Sequence, residues 1–302
     1  MIRNMERYYH VDGELRPADE ATVNVRDRGF LYGDAAFETL RTYGRSVFEW
    51  SMHLERLRST ARTLGMGAAV PTDEDLRTRV RETLSANDLT DAYVRLSVTR
   101  GVQPGKLTPD PDVDPTVVVI VDGLPRGGTE GPPVWDDRAV VRTVETRRVP
   151  DEAVPATTKT HNYLNGILAR LELRRSGADP SGTDPTADEA LLRDGEGYLA
   201  EGTTSNVFFV ADGVLRTPST DGSLLPGVTR SVVLDLARDS AIPVETGRYT
   251  VRDLQSADEA FLTNTTWEIR PIATVDGVEF SEGTTSRRLR DRFDELVEER
   301  HY

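Results

Sequence analysis

Residues 157–163 read Thr157-Thr158-Lys159-Thr160-His161-Asn162-Tyr163. They lie between a strand-like run at 139–146 and an amphipathic pattern at about 162–175, in which Leu164, Ile167, Leu168 and Leu171 share one stripe. Lysine is almost absent from the chain: of 37 basic side chains in 302 residues, only Lys106 and Lys159 are lysines. Arginine cannot form a Schiff base, whereas lysine can once burial lowers its pKa. Lys159, between an ordered loop and a packed helix, is therefore a candidate for amine chemistry, the alternative being a chance survivor on the surface. Lys106, in Gln103-Pro104-Gly105-Lys106-Leu107, reads more readily as a surface residue.

Upstream of this stretch, short strand-like pieces occur at 8–11 and 22–25, and 37–43 alternates up to Gly44 as in a hairpin. Leu54, Leu57, Ala61 and Leu64 recur at helical spacing until Gly65 and Gly67. Thr72 is placed to cap a helix over 73–87, with Leu76, Val80 and Leu84 on its stripe. Residues 92–99 alternate, so Val94, Leu96 and Val98 share one face and Tyr93, Arg95 and Ser97 the other. Residues 116–121 form a β-branched run that reads as a buried strand. Segment 122–133 holds four glycines and three prolines and reads as a linker between domains at 1–121 and 134–302.

Downstream, 176–188 reads as a surface loop and Asp212-Gly213 as a hairpin turn. Strands are expected at 189–193, 197–200, 206–210 and 259–263, and helices at 228–240 and 285–299. Strands and helices mix without strict βαβ alternation, so the class is α+β or mixed α/β.

Asp and Glu number 51, giving a net charge of -14. Such an excess repels phosphate backbones and argues against nucleic acid as a partner. It fits a halophilic protein in a salty cytosol, or a genome rich in Arg, Asp and Gly codons. There is no run of about 18 apolar residues, so no transmembrane helix is expected. The polar first ten residues lack a signal-peptide core, and the expected location is cytoplasmic. With no cysteine, disulfides, thiolate metal sites and a cysteine nucleophile are excluded, and no metal site is expected.

Three segments could receive a phosphate. His53 and Arg56 share a helix face, here expected to lie opposite the leucines. Pro226-Gly227-Val228-Thr229-Arg230 opens a helix, and Thr263-Asn264-Thr265-Thr266 follows a strand. Glu201 ends an alternating strand before Gly202-Thr203-Thr204-Ser205-Asn206; buried, it could pair with a heteroaromatic nitrogen, and exposed it would merely precede a turn.

Taken in order, Tyr32-Gly33-Asp34-Ala35-Ala36-Phe37-Glu38-Thr39, His53-Leu54-Glu55-Arg56-Leu57, Lys159 with Asn162-Tyr163-Leu164, Glu201-Gly202 with Ser205-Asn206, Leu225-Pro226-Gly227-Val228-Thr229-Arg230 and Thr265 with Glu268-Ile269 resemble the class IV, fold type IV, pyridoxal-phosphate aminotransferases. That family includes branched-chain and D-amino acid aminotransferases and aminodeoxychorismate lyases. The resemblance implies a small N-terminal domain, a larger C-terminal domain with a barrel-like sheet, a site between them, and a homodimer. It implies pyridoxal 5'-phosphate as cofactor, held by Lys159 as a Schiff base. Lys159 would move the proton between substrate Cα and the cofactor. Glu201 would face the ring nitrogen and Tyr163 the phenolic oxygen; Arg56, Val228, Thr229 and Thr265 would hold the phosphate.

For the substrate, the resemblance points to Tyr32, Phe37, Tyr93, Arg95, Thr266 and Trp267, and departures from the branched-chain pattern add Arg41, Arg100 and Arg270. Thr39 stands where branched-chain enzymes usually carry Gly, and Arg270 where Thr is usual before Pro271. The expected reaction is amino transfer between a branched-chain-like amino acid and a keto acid such as 2-oxoglutarate. Aminodeoxychorismate lyase and D-amino acid aminotransferase remain alternatives.

Overall fold

The computed structural model describes residues 7–126, 132–176 and 187–302, so parts of the linker and of the loop expected at 176–188 lie outside the described residues. The chain forms two compact units. The first runs to Pro125 and includes Thr158–Asn162 and His301–Tyr302; the second comprises Arg126–Thr157 and Tyr163–Arg300.

The first unit contains β1 (Tyr8–Val11), β2 (Glu14–Pro17), α1 (Arg28–Tyr32), β3 (Ala35–Tyr43), β4 (Ser46–Val47), α2 (Trp50–Thr63), α3 (Asp73–Ala86), β5 (Ala92–Thr99) and β6 (Val117–Gly123). Its strands form one antiparallel sheet in the order β2-β1-β6-β5-β3-β4. Leu40, Val94, Leu96, Val98, Val119 and Val121 share the core with Leu57, Ala61, Leu76, Val80 and Leu84 of the two longer helices. Each side chain is withdrawn from water, and burial on this scale supplies about 1.5–3 kcal/mol per large aliphatic residue. Thr72 caps α3 by accepting from the Asp75 N–H. Gly44 and Arg45 both take positive φ, 54° and 71°, the twist that a two-residue hairpin turn needs.

Two expectations fail here. Residues 22–25 form no strand: Val23 and Val25 are exposed and join no ladder, and the chain instead enters α1 through Asp27, which accepts from the Gly29 N–H. The buried stripe of α2 is Trp50, His53, Leu57, Thr60 and Ala61, so His53 lies inside rather than opposite the leucines. The reason is a buried carboxylate on β3, described below.

The second unit contains β7 (Ala139–Thr143), α4 (Leu164–Ser176), β8 (Glu189–Arg193), β9 (Leu199–Gly202), β10 (Asn206–Ala211), β11 (Val214–Pro218), α5 (Val228–Asp239), β12 (Val244–Gly247), α6 (Val251–Gln255), β13 (Glu259–Asn264), β14 (Glu268–Val275), β15 (Val278–Glu279) and α7 (Thr284–His301). The sheet order is β12-β11-β10-β13-β14-β7-β8-β9, with β15 against β14. Parallel and antiparallel pairs mix. In a flat sheet β9 and β10 would stand about 24 Å apart at the usual strand spacing. The chain joins them through the turn at 203–205, which reaches about 14 Å at most. The sheet must therefore curl back on itself, which makes it barrel-like.

Helix α4 departs from expectation. Leu164, Ile167, Leu168 and Leu171 are 39–59% exposed, while Ala169 and Leu173 pack on β8 with Ala190 and Leu192. The apolar stripe points outward. Among the described residues no helix is long and apolar enough to cross a membrane.

Candidate active site

In the first unit the segment around Lys159 lies beside β3 as a short extra strand. The Phe37 N–H donates to the Lys159 carbonyl at 3.0 Å, and the His161 N–H to the Ala35 carbonyl at 3.1 Å. Thr160 bridges Ala36, so Lys159 and His161 fall on the face that carries Phe37. The Lys159 N–H donates to Thr60 Oγ1 of α2 at 3.0 Å, fixing the backbone on its other side. Lys159 Nζ sits 4.5 Å from the Phe37 ring centroid and the Arg95 guanidinium carbon 3.8 Å from it. Strand register puts Thr39, Arg41, Tyr93 and Ser97 on this same face.

The opposite face carries the charge that draws His53 inward. Glu38 is buried, and its carboxylate accepts from Arg56 Nε at 2.8 Å, from Arg56 Nη2 at 2.6 Å and from His53 Nδ1 at 2.8 Å. Burial alone would raise the Glu38 pKa. The Arg56 guanidinium, with His53 behind it, outweighs that and holds it down to about 2. Burial also lowers the His53 pKa, against the pull of Glu38, so the ring is neutral and donates through Nδ1. Arg56 is thus held by two parallel hydrogen bonds, which fix the plane of its guanidinium.

Other arginines expected at the substrate are engaged by the protein. Arg100 Nε donates to Asp34 at 2.7 Å, and Arg28 Nε to the same oxygen at 2.8 Å. The Asp34 carboxyl is lowered as a result, against its burial. Arg41 is 1% exposed and donates to the Leu124 carbonyl at 3.2 Å. Tyr32, at the end of α1, is stacked under the Arg28 guanidinium at 4.8 Å. In the second unit Arg270 donates to the Asp137 carbonyl at 2.9 Å and pairs with Asp188 at 3.2 Å. Arg95 differs from all of these: among the described residues no carboxylate forms an ion pair with it.

The second unit presents a separate group. Glu201, on β9, is buried; it accepts from Arg148 Nε at 2.7 Å and from the Leu225 N–H at 3.0 Å. The turn that follows is organised by Glu189, whose carboxylate accepts from the Thr203 N–H at 3.1 Å and from Ser205 Oγ at 2.9 Å. A Cβ on Gly202 would meet Ser205 Oγ at 2.3 Å, so only glycine lets this turn close. Helix α5 begins at Val228 with no side-chain cap on its first N–H groups, and Val228 and Thr229 are buried there. A Cβ on Gly227 would meet Asn206 Oδ1 at 2.1 Å, which explains the Pro226-Gly227 entry. Thr265 is half-buried between β13 and β14. The Thr266 and Trp267 N–H groups donate to Asn264 Oδ1 at 3.0 and 2.7 Å. Tyr163 lies one residue before α4.

Sequence reasoning gave no role to Glu38, Thr60, Arg148, Glu189 or His161. Glu38 had a signal, since a carboxylate in an apolar strand needs a partner. Arg148 and Glu189 had none, because their partners are far away in sequence. Among the described residues no group of His, Asp and Glu could hold a metal ion.

Comparison with known proteins agrees in one direction. A family model described as amino-transferase class IV matches residues 35–275. The chain is 36% identical over 290 residues, 95% of both chains, to a putative branched-chain-amino-acid aminotransferase of Methanocaldococcus jannaschii. It is 32% identical over 291 residues, 90% of this chain and 89% of the relative, to a D-alanine aminotransferase of Listeria monocytogenes. The crystal structure of a branched-chain aminotransferase from the thermophilic archaeon Thermoproteus uzoniensis, solved with norvaline, superposes with a TM-score of 0.85 at 30% identity, covering 97% of this chain and 95% of that one.

Proposed function

The chain belongs to the class IV aminotransferases, enzymes that use pyridoxal phosphate, and from that premise we propose that it moves an amino group between a branched-chain-like amino acid and a keto acid such as 2-oxoglutarate. The observation that carries this reading is the placement of Lys159. Its backbone is fixed on both sides, and its amine is aimed across Phe37 on the face that also holds Arg95.

The donor set fits the cofactor. A phosphate dianion requires N–H groups and a cation, and in this reading the uncapped start of α5, the hydroxyls of Thr229 and Thr265, and Arg56 would each supply part of that chemistry. Glu201, opposite Arg148, would hold the proton of a pyridine nitrogen. Tyr163 would donate to the phenolic oxygen. The cofactor, when bound, supplies an electron sink for the bond broken at the substrate Cα. Lys159 Nζ would carry it covalently and, when free, would move a proton between the substrate Cα and the cofactor's C4′ atom. Phe37 and Tyr93 would keep water from that amine. Arg95 would receive a substrate carboxylate. Tyr32, Arg41, Arg100, Thr266, Trp267 and Arg270 would shape the rim, with Arg100 and Arg270 acting through Asp34 and Asp188.

The test is direct. The purified protein should show a visible absorption band that Lys159→Ala abolishes, and it should form glutamate from L-leucine and 2-oxoglutarate. The similarity to D-alanine aminotransferases makes chirality a second arm. Turnover of D-alanine but not L-leucine would move the substrate to the D series, and release of 4-aminobenzoate from aminodeoxychorismate would replace transfer by elimination.

The outward stripe of α4 fits a homodimer, because a row of four exposed aliphatic side chains at helical spacing requires a cover. Ile167→Asp should shift the sedimentation coefficient toward that of a monomer. The net charge and scarcity of lysine fit a halophilic, cytoplasmic enzyme. Melting temperatures that rise from dilute buffer to molar KCl would support this, and a flat profile would oppose it.

A further inference from the structure

Phe37 is the point on which three side chains with titratable or charged heads converge. Its ring carries Arg95 at 3.8 Å and Lys159 at 4.5 Å, and the His161 imidazole meets it edge-on at 5.6 Å between centroids. Register enforces the arrangement. Thr160 pairs with Ala36, which turns His161 to the Phe37 side, and Ser97 is the residue opposite Phe37 on β5. Ser97 Oγ lies 3.0 Å from His161 Nε2 and fixes the tilt of the imidazole.

Resting on the reading of Arg95 as a substrate anchor, we infer that His161 couples substrate choice to protons: when the second carboxylate of a dicarboxylic substrate docks on Arg95, His161 takes up one proton from solvent and becomes a second cation beside it, whereas a monocarboxylic substrate binds without uptake. The proton lands on the ring nitrogen that is bare in the neutral imidazole, and no bond to the substrate changes.

The groups facing His161 can be named. Arg95 and Ser97 come from β5, Phe37 from β3 and Asp27 from the start of α1, while Lys159, from its own segment, meets the same Phe37 ring. Burial, and then Arg95, hold the imidazole down to about 4, while Asp27 pulls the other way. Asp27 is buried and accepts from the Gly29 N–H and the Thr99 hydroxyl, so its influence is fixed. The influence of Arg95 can change. A carboxylate docked on it cancels its field, and His161 moves back toward the ordinary imidazole range. Linkage gives the sign: affinity for the dicarboxylate is highest in acid and falls as pH rises from about 4 to the raised value, then levels off.

The experiment is calorimetric binding to the pyridoxal-phosphate-loaded enzyme in buffers of different ionisation enthalpy. The probes are 2-oxoglutarate and 4-methyl-2-oxopentanoate. Protons should be taken up with 2-oxoglutarate in mildly acidic buffer, and none with the monocarboxylate. His161→Gln, which keeps a hydrogen-bonding head beside Ser97, should abolish the uptake and flatten the loss of 2-oxoglutarate affinity that the unaltered enzyme shows as pH rises. The chain has only four histidines, so the His161 resonance can also be titrated by NMR in the unaltered enzyme, and this covers a variant that fails to fold. A resonance whose pKa is unmoved by 2-oxoglutarate, or uptake that survives in His161→Gln, overturns the inference. If Arg95→Leu leaves the 2-oxoglutarate affinity unchanged, the reading of Arg95 itself is wrong and the inference goes with it.

Discussion

The two faces of the six-stranded sheet handle charge in opposite ways. On the helix side, the Glu38 carboxylate is closed off by Arg56 and His53, on the sheet face that also carries the apolar core. On the far side, Arg95 and Lys159 lean on one aromatic ring, and Arg95 has no carboxylate partner among the described residues. A closed ion pair in a core sets geometry, whereas a cation resting on a ring keeps its hydrogen bonds available to a ligand. The first face is thus a scaffold that orients Arg56, and the second is the face to which the proposed function assigns the substrate.

The largest effect should come from the open face. Lys159→Ala removes the amine proposed to move the Cα proton, a contribution of about 10²–10⁴-fold for a positioned acid–base group. Steady-state rates should fall at least that far while the melting temperature stays within a few degrees. A variant that unfolds instead would make Lys159 part of the scaffold and erase the contrast between the faces.

Next comes the closed face. Glu38→Gln leaves Arg56 and His53 facing a neutral amide in a dry site, and breaking such a pair costs about 3–5 kcal/mol. Denaturant unfolding should show this loss. The pH dependence has a definite sign. The Glu38 pKa is depressed in the fold, from 4.5 to about 2, so its stabilisation is complete above the unfolded value and disappears as pH falls through that window. Acid unfolding of Glu38→Gln should lack this component. If Glu38→Gln matches the parent in stability but binds pyridoxal phosphate weakly, Glu38 serves the site more than the core.

A smaller effect separates arginines that sequence alone could not tell apart. Arg95→Leu should raise KM for 2-oxoglutarate by about 10- to 100-fold, the range for a charge-assisted hydrogen bond, with little change for a neutral amino acid. Arg100→Leu should instead lower stability, because it leaves Asp34 with Arg28 alone. Nothing local in the sequence reveals that Asp34 lies within reach of Arg100. Likewise, the exposed stripe of α4 and the buried one of α3 are both amphipathic helical patterns; only tertiary packing decides which is covered. What could be read locally was read well. Alternation in β5 assigned its two faces and Thr72 marked the start of α3, since both signals depend on neighbours in the chain. The short strand expected at 22–25 failed for the complementary reason: a β-propensity without a partner strand forms no ladder.

The smallest effect tests the link between the two faces. Thr60 belongs to the buried stripe of α2, yet its hydroxyl accepts the Lys159 N–H at 3.0 Å. It is a side chain through which the scaffold helix touches the Lys159 segment. Thr60→Val keeps shape and burial while deleting the acceptor, so about 1 kcal/mol should be lost. If the bond only holds the fold together, the loss appears in denaturant unfolding and kcat is unchanged. If it aims Lys159, kcat falls about fivefold while KM stays level, because a misaimed amine weakens the step at Cα and leaves substrate binding alone. Thr60→Ser, which restores the hydroxyl, should recover the rate in the second case. We expect the second outcome, since the opposite edge of the Lys159 peptide is already fixed by Phe37 and the Thr60 bond adds direction more than attachment.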